Sequence, residues 1–141
     1  MKPIKILPNL YLGNIHTAKS LPLLDSVGIK AILNIGAGVC QFPGRFAYWK
    51  VQMQDSDEEC IEEHLEAAVG FLAGEIGKGP VLVHCQGGIS RSPAFLVAYL
   101  AKCCGMTVLE AMAHVEKCRK GVRFRAKFIE GITRWLETLL I

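Results

Sequence analysis

The segment from residue 81 to residue 93 constrains this chain more than any other feature. It begins with the apolar run Val81-Leu82-Val83, which predicts a short buried strand. Proline suits the first turn of a helix, so a helix is expected from Ser92-Pro93. The loop between them contains two adjacent glycines, which let the backbone curl tightly. The sequence therefore predicts a strand, a curled loop and a helix in immediate succession.

The rest of the chain predicts an α/β domain around this segment. Strands are expected on both sides of Pro8-Asn9 between residues 4 and 12, and at residues 31–35, 46–53 and 81–83. Helices are expected at residues 20–27, 58–76, 92–104, 107–119 and 126–140. Strands alternate with helices early and helices cluster late, which predicts a central, mostly parallel twisted sheet flanked by helices. Residues 1–141 contain no linker or repeat, so a single domain is expected.

The loop predicts a site for an anion. Backbone N–H groups converge in a curled loop, and the helix that follows adds unpaired N–H donors with partial positive charge. Such a cradle suits phosphate, and the planar donors of Arg91 can bind two phosphate oxygens at once. The expected phosphate-binding residues are Gln86, Gly87, Gly88, Ile89, Ser90 and Arg91.

Cys85 is the candidate nucleophile, because it stands at the junction of strand and loop. Positive surroundings favour the thiolate form of a cysteine. A thiolate below a bound phosphate can attack phosphorus and form a covalent phosphocysteine. Ser92 can donate a hydrogen bond to the sulfur and ease its later departure. His84 is expected to support the loop by hydrogen bonding rather than to act as a base.

This segment resembles the active-site signature of the cysteine-dependent protein tyrosine phosphatases. Ser90-Arg91-Ser92 and the small size are similar to the dual-specificity branch, in its small form that consists of a catalytic domain alone. Similar segments extend from Leu10-Tyr11-Leu12-Gly13-Asn14 to Leu109-Glu110-Ala111. The resemblance implies a protein phosphatase that hydrolyses phosphotyrosine, phosphoserine and phosphothreonine through a phosphocysteine. It implies no cofactor and no metal.

The mechanism needs a general acid to protonate the leaving oxygen. The three aspartates are Asp25, Asp55 and Asp57, and only the last two follow the strand predicted to end near Met53. In the resembled family the acid comes two or three residues after this strand, which favours Asp55 over Asp57. The alternative is that both carboxylates cap the helix expected from Glu58.

The segment before the last helix departs from the resembled pattern. Arg119 and Phe128 keep their places. The remaining differences are Lys120 and Phe124 for two prolines, Arg125 for an asparagine and Lys127 for a glycine. The result is a basic run from Lys117 to Lys127. It is interpreted either as a solvated helix end or as a site for an acidic or multiply phosphorylated partner.

The overall charge adds little to this interpretation of function. The net charge of +3, from 16 basic and 13 acidic residues, is too small to predict nucleic-acid or membrane binding. In the resembled family a second basic residue within the loop is common among phosphoinositide phosphatases and it is absent here, so the resemblance implies a phosphorylated protein as the partner of this chain. Phosphoinositide and RNA 5′-phosphate substrates remain enzymatic alternatives, and a module that binds phosphoproteins without hydrolysis is the non-enzymatic one.

The six cysteines predict a reducing setting. No signal peptide precedes them and none form a CxxC pair, so an intracellular protein with free thiols is expected, cytoplasmic and also nuclear. The alternative of a zinc site would use His114, Cys118, Cys103 and Cys104 as ligands. Only His114 and Cys118 are spaced i, i+4, and such a pair is a weak signal. Cys40, Cys60, Cys103 and Cys104 are also candidates to form a disulfide with an oxidised Cys85.

Overall fold

The computed structural model describes residues 1–140. The strands within them are β1 (Ile4–Leu7), β2 (Leu10–Gly13), β3 (Ala31–Ile35), β4 (Ala47–Val51) and β5 (Val81–His84). The helices are α1 (Ile15–Ala18), α2 (Leu21–Ser26), α3 (Glu62–Ile76), α4 (Arg91–Cys103), α5 (Val108–Cys118) and α6 (Ala126–Thr138). None of these described helices combines the length and the apolar character needed to cross a membrane.

The five strands form one sheet in the order β1-β2-β5-β3-β4. Strands β2, β5, β3 and β4 run parallel, whereas β1 pairs antiparallel with β2 at one edge. The predicted mostly parallel sheet flanked by helices is therefore confirmed. Because β5 is the central strand, the residue that follows it lies in the middle of the carboxyl edge of the sheet.

Helices cover both faces of this sheet. Side chains alternate along a strand, so Leu33 of β3 and Val83 of β5 join the larger core formed with α3, α4, α5 and α6. Ile32 and Leu82 point to the opposite face and pack in a smaller cluster with Leu24 of α2. The two central strands are therefore buried on both faces, which explains their nearly continuous apolar sequences.

The capping residues predicted from sequence act as expected at two helices. Ser20 accepts a hydrogen bond from the Leu23 amide at the start of α2. Thr107 and Glu110 form the reciprocal capping box of α5. The short helix α1, which the sequence reading missed, has its own capping box between Asn14 and Thr17.

Helix α3 begins four residues later than expected. Its cap is Ile61, which makes no side-chain capping bond, so the interpretation of Asp55 and Asp57 as caps of this helix is wrong. Side chains hold the preceding backbone in turns instead: Glu59 accepts from the Gln54 amide. Residues 52–61, which we call the acid loop, therefore connect β4 to α3.

Candidate active site

Cys85 lies directly after the central strand β5 and is 2% exposed. Residues 85–91, which we call the nucleophile loop, curl from this point into α4. Gly88, with φ of +69°, donates its amide hydrogen to Cys85 Sγ over 3.3 Å. The Cys85 Sγ and Ser92 Oγ atoms lie 3.1 Å apart, and Ser92 is fully buried. When the sulfur is a thiolate, both neighbours therefore donate to it.

The strand next to β5, β2, leads into α1, which supports this curl. The Ile15 amide of α1 donates to the Gln86 carbonyl over 3.0 Å. A Cβ on Gly88 would lie 2.8 Å from the Gly13 carbonyl oxygen, so this close approach excludes a side chain. The missed helix α1 is thus part of the site. Its capping pair Asn14 and Thr17, three residues apart, is the sequence signal that could have revealed it.

Arg91 connects the nucleophile loop to two other segments. Its Nη1 atom donates to the Met53 carbonyl over 2.9 Å and to the Gly36 carbonyl over 3.2 Å. Within residues 1–140, its Nε and Nη2 atoms have no hydrogen-bond partner, and Arg91 lines the cavity above Cys85. One nitrogen therefore orients the guanidinium, and the other two are free to bind an anion.

Asp55 approaches the nucleophile loop from the acid loop, which follows the edge strand β4. Its Oδ1 atom accepts hydrogen bonds from Ser90 Oγ over 2.8 Å and from Arg125 Nε over 3.0 Å. Partial burial alone raises the pKa of the Asp55 carboxyl, but hydrogen bonds from Arg125 and Ser90 and the nearby charge of Arg125 and Arg91 outweigh it. The net result is a pKa below the usual value for aspartate. Asp57 lies farther out and pairs only with Arg125 Nη1, at 2.9 Å.

One cavity of about 460 Å³ brings these residues together. Its walls comprise Asp55, Cys85, Gln86, Gly87, Ile89, Ser90, Arg91, Arg123, Phe124 and Arg125. Most residues of the predicted phosphate site are therefore in this cavity. Gly88 differs, because its amide is bonded to the sulfur and it is not among the lining residues.

His84 is buried at the end of β5, 2% exposed. Its Nδ1 atom lies 3.2 Å from the Cys85 carbonyl oxygen, to which a protonated Nδ1 donates. Burial lowers the pKa of His84 from 6.5 to about 4, although this hydrogen bond opposes the change. The ring is therefore neutral near neutral pH and bonded to the loop backbone.

The basic run from Lys117 to Lys127 divides into two groups. Arg119 donates to the carbonyls of Gly88, over 2.9 Å, and of Gly87, over 3.4 Å, and so braces the nucleophile loop. The Arg123 amide donates to the Ile89 carbonyl over 2.9 Å, and its side chain lines the cavity. Sequence reasoning did not assign Arg119, Arg123 or Arg125 to the site. The lysines of the run, Lys117, Lys120 and Lys127, are exposed.

The residues that line the cavity include no cysteine besides Cys85. All six thiols are free. Cys103 is eleven residues beyond Ser92 on α4, about 16 Å along the helix axis, too far to bridge to Cys85. His114 Nε2 lies 2.7 Å from the Ile6 carbonyl, so this ring nitrogen is already paired with backbone. Among residues 1–140, no three histidine, cysteine, aspartate or glutamate side chains cluster as metal ligands.

Comparison with known proteins decides the family. The family model described as dual specificity phosphatase, catalytic domain, matches residues 10–138. This chain belongs to the dual-specificity phosphatase family. The crystal structure of human tyrosine phosphatase-like serine/threonine/tyrosine-interacting protein superposes with a TM-score of 0.93 at 31% identity, covering 99% of each chain.

Two curated relatives show how far the similarity extends in sequence. Dual specificity protein phosphatase 1-A of Xenopus laevis is 36% identical over 83% of this chain and 32% of its own length. MAP kinase phosphatase with leucine-rich repeats protein 3 of Dictyostelium discoideum is 32% identical over 94% of this chain and 16% of its own length. The chain thus spans a third or less of the length of these dual-specificity phosphatases.

Proposed function

We propose that this dual-specificity phosphatase domain hydrolyses phosphate monoesters of proteins through a phosphocysteine intermediate. The observation that carries the proposal is the single cavity lined by Cys85, Arg91 and Asp55. These three side chains supply a nucleophile, a bidentate phosphate ligand and a proton donor. Asp55 and Cys85 are 30 residues apart in the sequence, yet Ser90 of the nucleophile loop bonds the Asp55 carboxylate directly.

In the first step, the Cys85 thiolate attacks phosphorus, an S–P bond forms and the P–O bond to the leaving group breaks. Protonated Asp55 gives its proton to the departing oxygen, so an alcohol or phenol leaves rather than an alkoxide. Arg91 and the amides of the nucleophile loop hold the phosphoryl oxygens throughout. Since the Gly88 amide donates to the sulfur, the amides of the other loop residues are those we assign to phosphate.

In the second step, water attacks the phosphocysteine and the S–P bond breaks. Asp55, now a carboxylate, takes a proton from that water, which restores its acid form. The Ser92 hydroxyl, 3.1 Å from the sulfur, donates a hydrogen bond to the departing thiolate. His84 supports the loop through the Cys85 carbonyl, and its pKa of about 4 makes it a weak base, so we assign it no proton transfer.

The proposed substrates are proteins that carry phosphotyrosine, phosphoserine or phosphothreonine. Of the three arginines near the loop, Arg119 is bonded to backbone carbonyls and Arg125 to carboxylates. Arg123 lines the cavity, and its side chain has no partner within residues 1–140. We therefore assign Arg123 as the contact for an acidic or second phosphorylated group on the partner protein.

This assignment predicts a difference between two basic residues. Arg123→Ala should raise the KM for an acidic phosphopeptide by about two- to fivefold, the value of an exposed charge pair, without changing that of p-nitrophenyl phosphate. Lys127→Ala, outside the cavity, should change neither KM. Steady-state kinetics at low and high salt measures both, and an equal KM effect for the two variants would contradict the role of Arg123.

We further propose that residues 1–141 act as one catalytic unit in the cytoplasm and the nucleus. A reducing compartment suits this chemistry, because a nucleophilic thiolate is the species most readily oxidised. All six cysteines are free thiols, consistent with such a setting.

The decisive experiment is hydrolysis of p-nitrophenyl phosphate by the wild type and by Cys85→Ser, each with and without EDTA. Wild-type activity should be insensitive to EDTA, and Cys85→Ser should lose at least about 10³-fold in kcat, as expected when a nucleophile is removed. Cys104→Ser, which changes an exposed thiol, is the matched control and should retain activity. Undiminished hydrolysis by Cys85→Ser would falsify the mechanism.

A binding module without hydrolysis is the second candidate. The similar human structure is of a protein whose name describes it as phosphatase-like and interacting. If this domain acts in that way, phosphopeptide binding will be measurable by calorimetry while the wild type releases no phosphate. Turnover that depends on Cys85 excludes this candidate.

A further inference from the structure

Arg125 holds the acid loop from a distant part of the chain. It occupies the cap position of α6, 70 residues after Asp55. Its Nε atom donates to Asp55 Oδ1 over 3.0 Å, its Nη2 to the Asp55 carbonyl over 2.7 Å and its Nη1 to Asp57 Oδ1 over 2.9 Å. All three nitrogens of one planar group are therefore bonded to two residues of the loop, which fixes their position and orientation.

The two oxygens of the Asp55 carboxyl group have different surroundings. Oδ1 accepts from both Ser90 Oγ and Arg125 Nε. Within residues 1–140, Oδ2 accepts no hydrogen bond. Two donors on one oxygen prevent rotation of the group, and the proton of the acid form is left for Oδ2. Since Asp55 lines the cavity, Oδ2 is the oxygen that can deliver a proton to a leaving group.

We propose that Arg125 is a positioning residue that fixes Asp55 for proton transfer from Oδ2. The inference rests on the proposed function, because it assigns Asp55 the role of general acid. An asparagine, which the resembled pattern has at this place, carries no charge and cannot form the same three-nitrogen fork. Arg125 thus orients the Asp55 carboxyl group. It also stabilises the carboxylate form, and so lowers the pKa of Asp55.

The test separates these two effects with two variants, Arg125→Asn and Arg125→Lys. The kcat/KM is measured across pH for an alkyl phosphate, whose leaving group needs protonation, and for p-nitrophenyl phosphate, whose leaving group does not. This parameter reports only the steps through departure of the leaving group. Arg45→Asn is the control, because Arg45 forms an exposed pair with Asp25 at 2.8 Å, outside the cavity.

Arg125→Asn should lower kcat/KM for the alkyl phosphate by about tenfold or more, as expected for a misplaced acid, and change p-nitrophenyl phosphate by less than about twofold. The acid form of Asp55 should also survive to higher pH, so the alkaline limb of the alkyl phosphate profile should move upward. Arg125→Lys keeps the charge but not the fork. It should leave this limb near that of the wild type and still lose activity on the alkyl phosphate.

A second readout does not depend on turnover. The Asp55 carboxyl pKa, followed by carbon-detected NMR, should rise in Arg125→Asn and stay unchanged in Arg45→Asn. An unmoved pKa, or equal losses on both substrates, overturns the proposal. A wild type that hydrolyses neither substrate contradicts the proposed function itself, and this outcome is recognised before any Arg125 variant is compared.

Discussion

The nucleophile loop and the acid loop are held in place by opposite means. The nucleophile loop starts from a strand that is buried on both faces and ends in a helix whose residues 92–100 are all buried. The acid loop is exposed over most of its length, and Asp55 and Asp57 form ion pairs with Arg125 at sequence separations of 70 and 68. One loop is fixed by the core, the other by surface charges.

This difference has a physical consequence. Burial of apolar side chains stabilises by about 25 cal/mol per Å² and is not electrostatically screened by salt, whereas exposed ion pairs contribute little and are screened. The nucleophile loop should therefore persist under conditions that loosen the acid loop. Two hydrogen bonds join the loops: Arg91 Nη1 donates to the Met53 carbonyl at the start of the acid loop, and Ser90 Oγ donates to Asp55.

Changing the acid alone should give the largest effect and leave the nucleophile loop intact. Asp55→Asn cannot donate a proton, so kcat/KM for an alkyl phosphate should fall by about 10²- to 10⁴-fold, or about 3 to 5 kcal/mol of barrier. Asp57→Asn should cost far less, because Asp57 bonds only Arg125 and lies outside the cavity lining. Steady-state rates with both variants measure the ranking.

The leaving group provides the control for this comparison. With p-nitrophenyl phosphate, Asp55→Asn should lose much less kcat/KM, because nitrophenolate departs without protonation. A larger loss in Asp57→Asn than in Asp55→Asn would show that the acid was assigned to the wrong residue.

A substitution at Gly36, which contacts Arg91 between the two loops, should affect both loops. Gly36 has φ of +65°, and a Cβ there would overlap the Met53 carbonyl oxygen and Arg91 Nη1. Gly36→Ala should cost about 1 to 2 kcal/mol for the left-handed backbone and about 1 to 3 kcal/mol more for the overlap, about 2 to 5 kcal/mol in total. Displacement of Arg91 should also raise KM for every phosphate ester. Denaturant unfolding and steady-state kinetics test the two effects.

Gly38→Ala separates backbone strain from overlap. Gly38 has a similar φ of +72°, but a Cβ there would meet nothing within 4 Å. This variant should lose only the about 1 to 2 kcal/mol of the left-handed backbone and keep the wild-type KM. Equal losses of unfolding free energy for the two alanine variants would mean that a Cβ at position 36 does not displace Arg91.

The same contrast explains what could be predicted from sequence. The elements around Cys85 follow from local patterns: the apolar Val81-Leu82-Val83 run, the paired glycines and the proline of the next helix. Even the capping box of α5 is visible within four residues. The bonds of the acid loop were not predictable in this way, because nothing local to Asp55 indicates Arg125. The charges of Arg119 and Arg125 suggested a basic surface, whereas the fold turns both side chains toward the site.

The prediction for His84 has the smallest expected effect, and it concerns the nucleophile loop alone. Its folded pKa of about 4 lies below the 6.5 of an unperturbed histidine, so between these values the unfolded chain binds more protons than the folded one. Stability from the neutral ring is complete above pH 6.5 and is lost as pH falls toward 4. The free energy of unfolding should therefore drop by about 2 kcal/mol between pH 7 and pH 5 from this group alone.

Replacement of the histidine isolates that contribution. His84→Gln keeps a side chain able to donate to the Cys85 carbonyl but removes the titration, so its stability should fall less than that of the wild type over the same pH interval. The exposed His16 supplies the control, and His16→Gln should follow the wild-type curve. Urea unfolding at several pH values measures all three. Parallel curves for the wild type and His84→Gln would mean that the buried ring titrates normally, and the nucleophile loop would then be no better shielded from water than the acid loop.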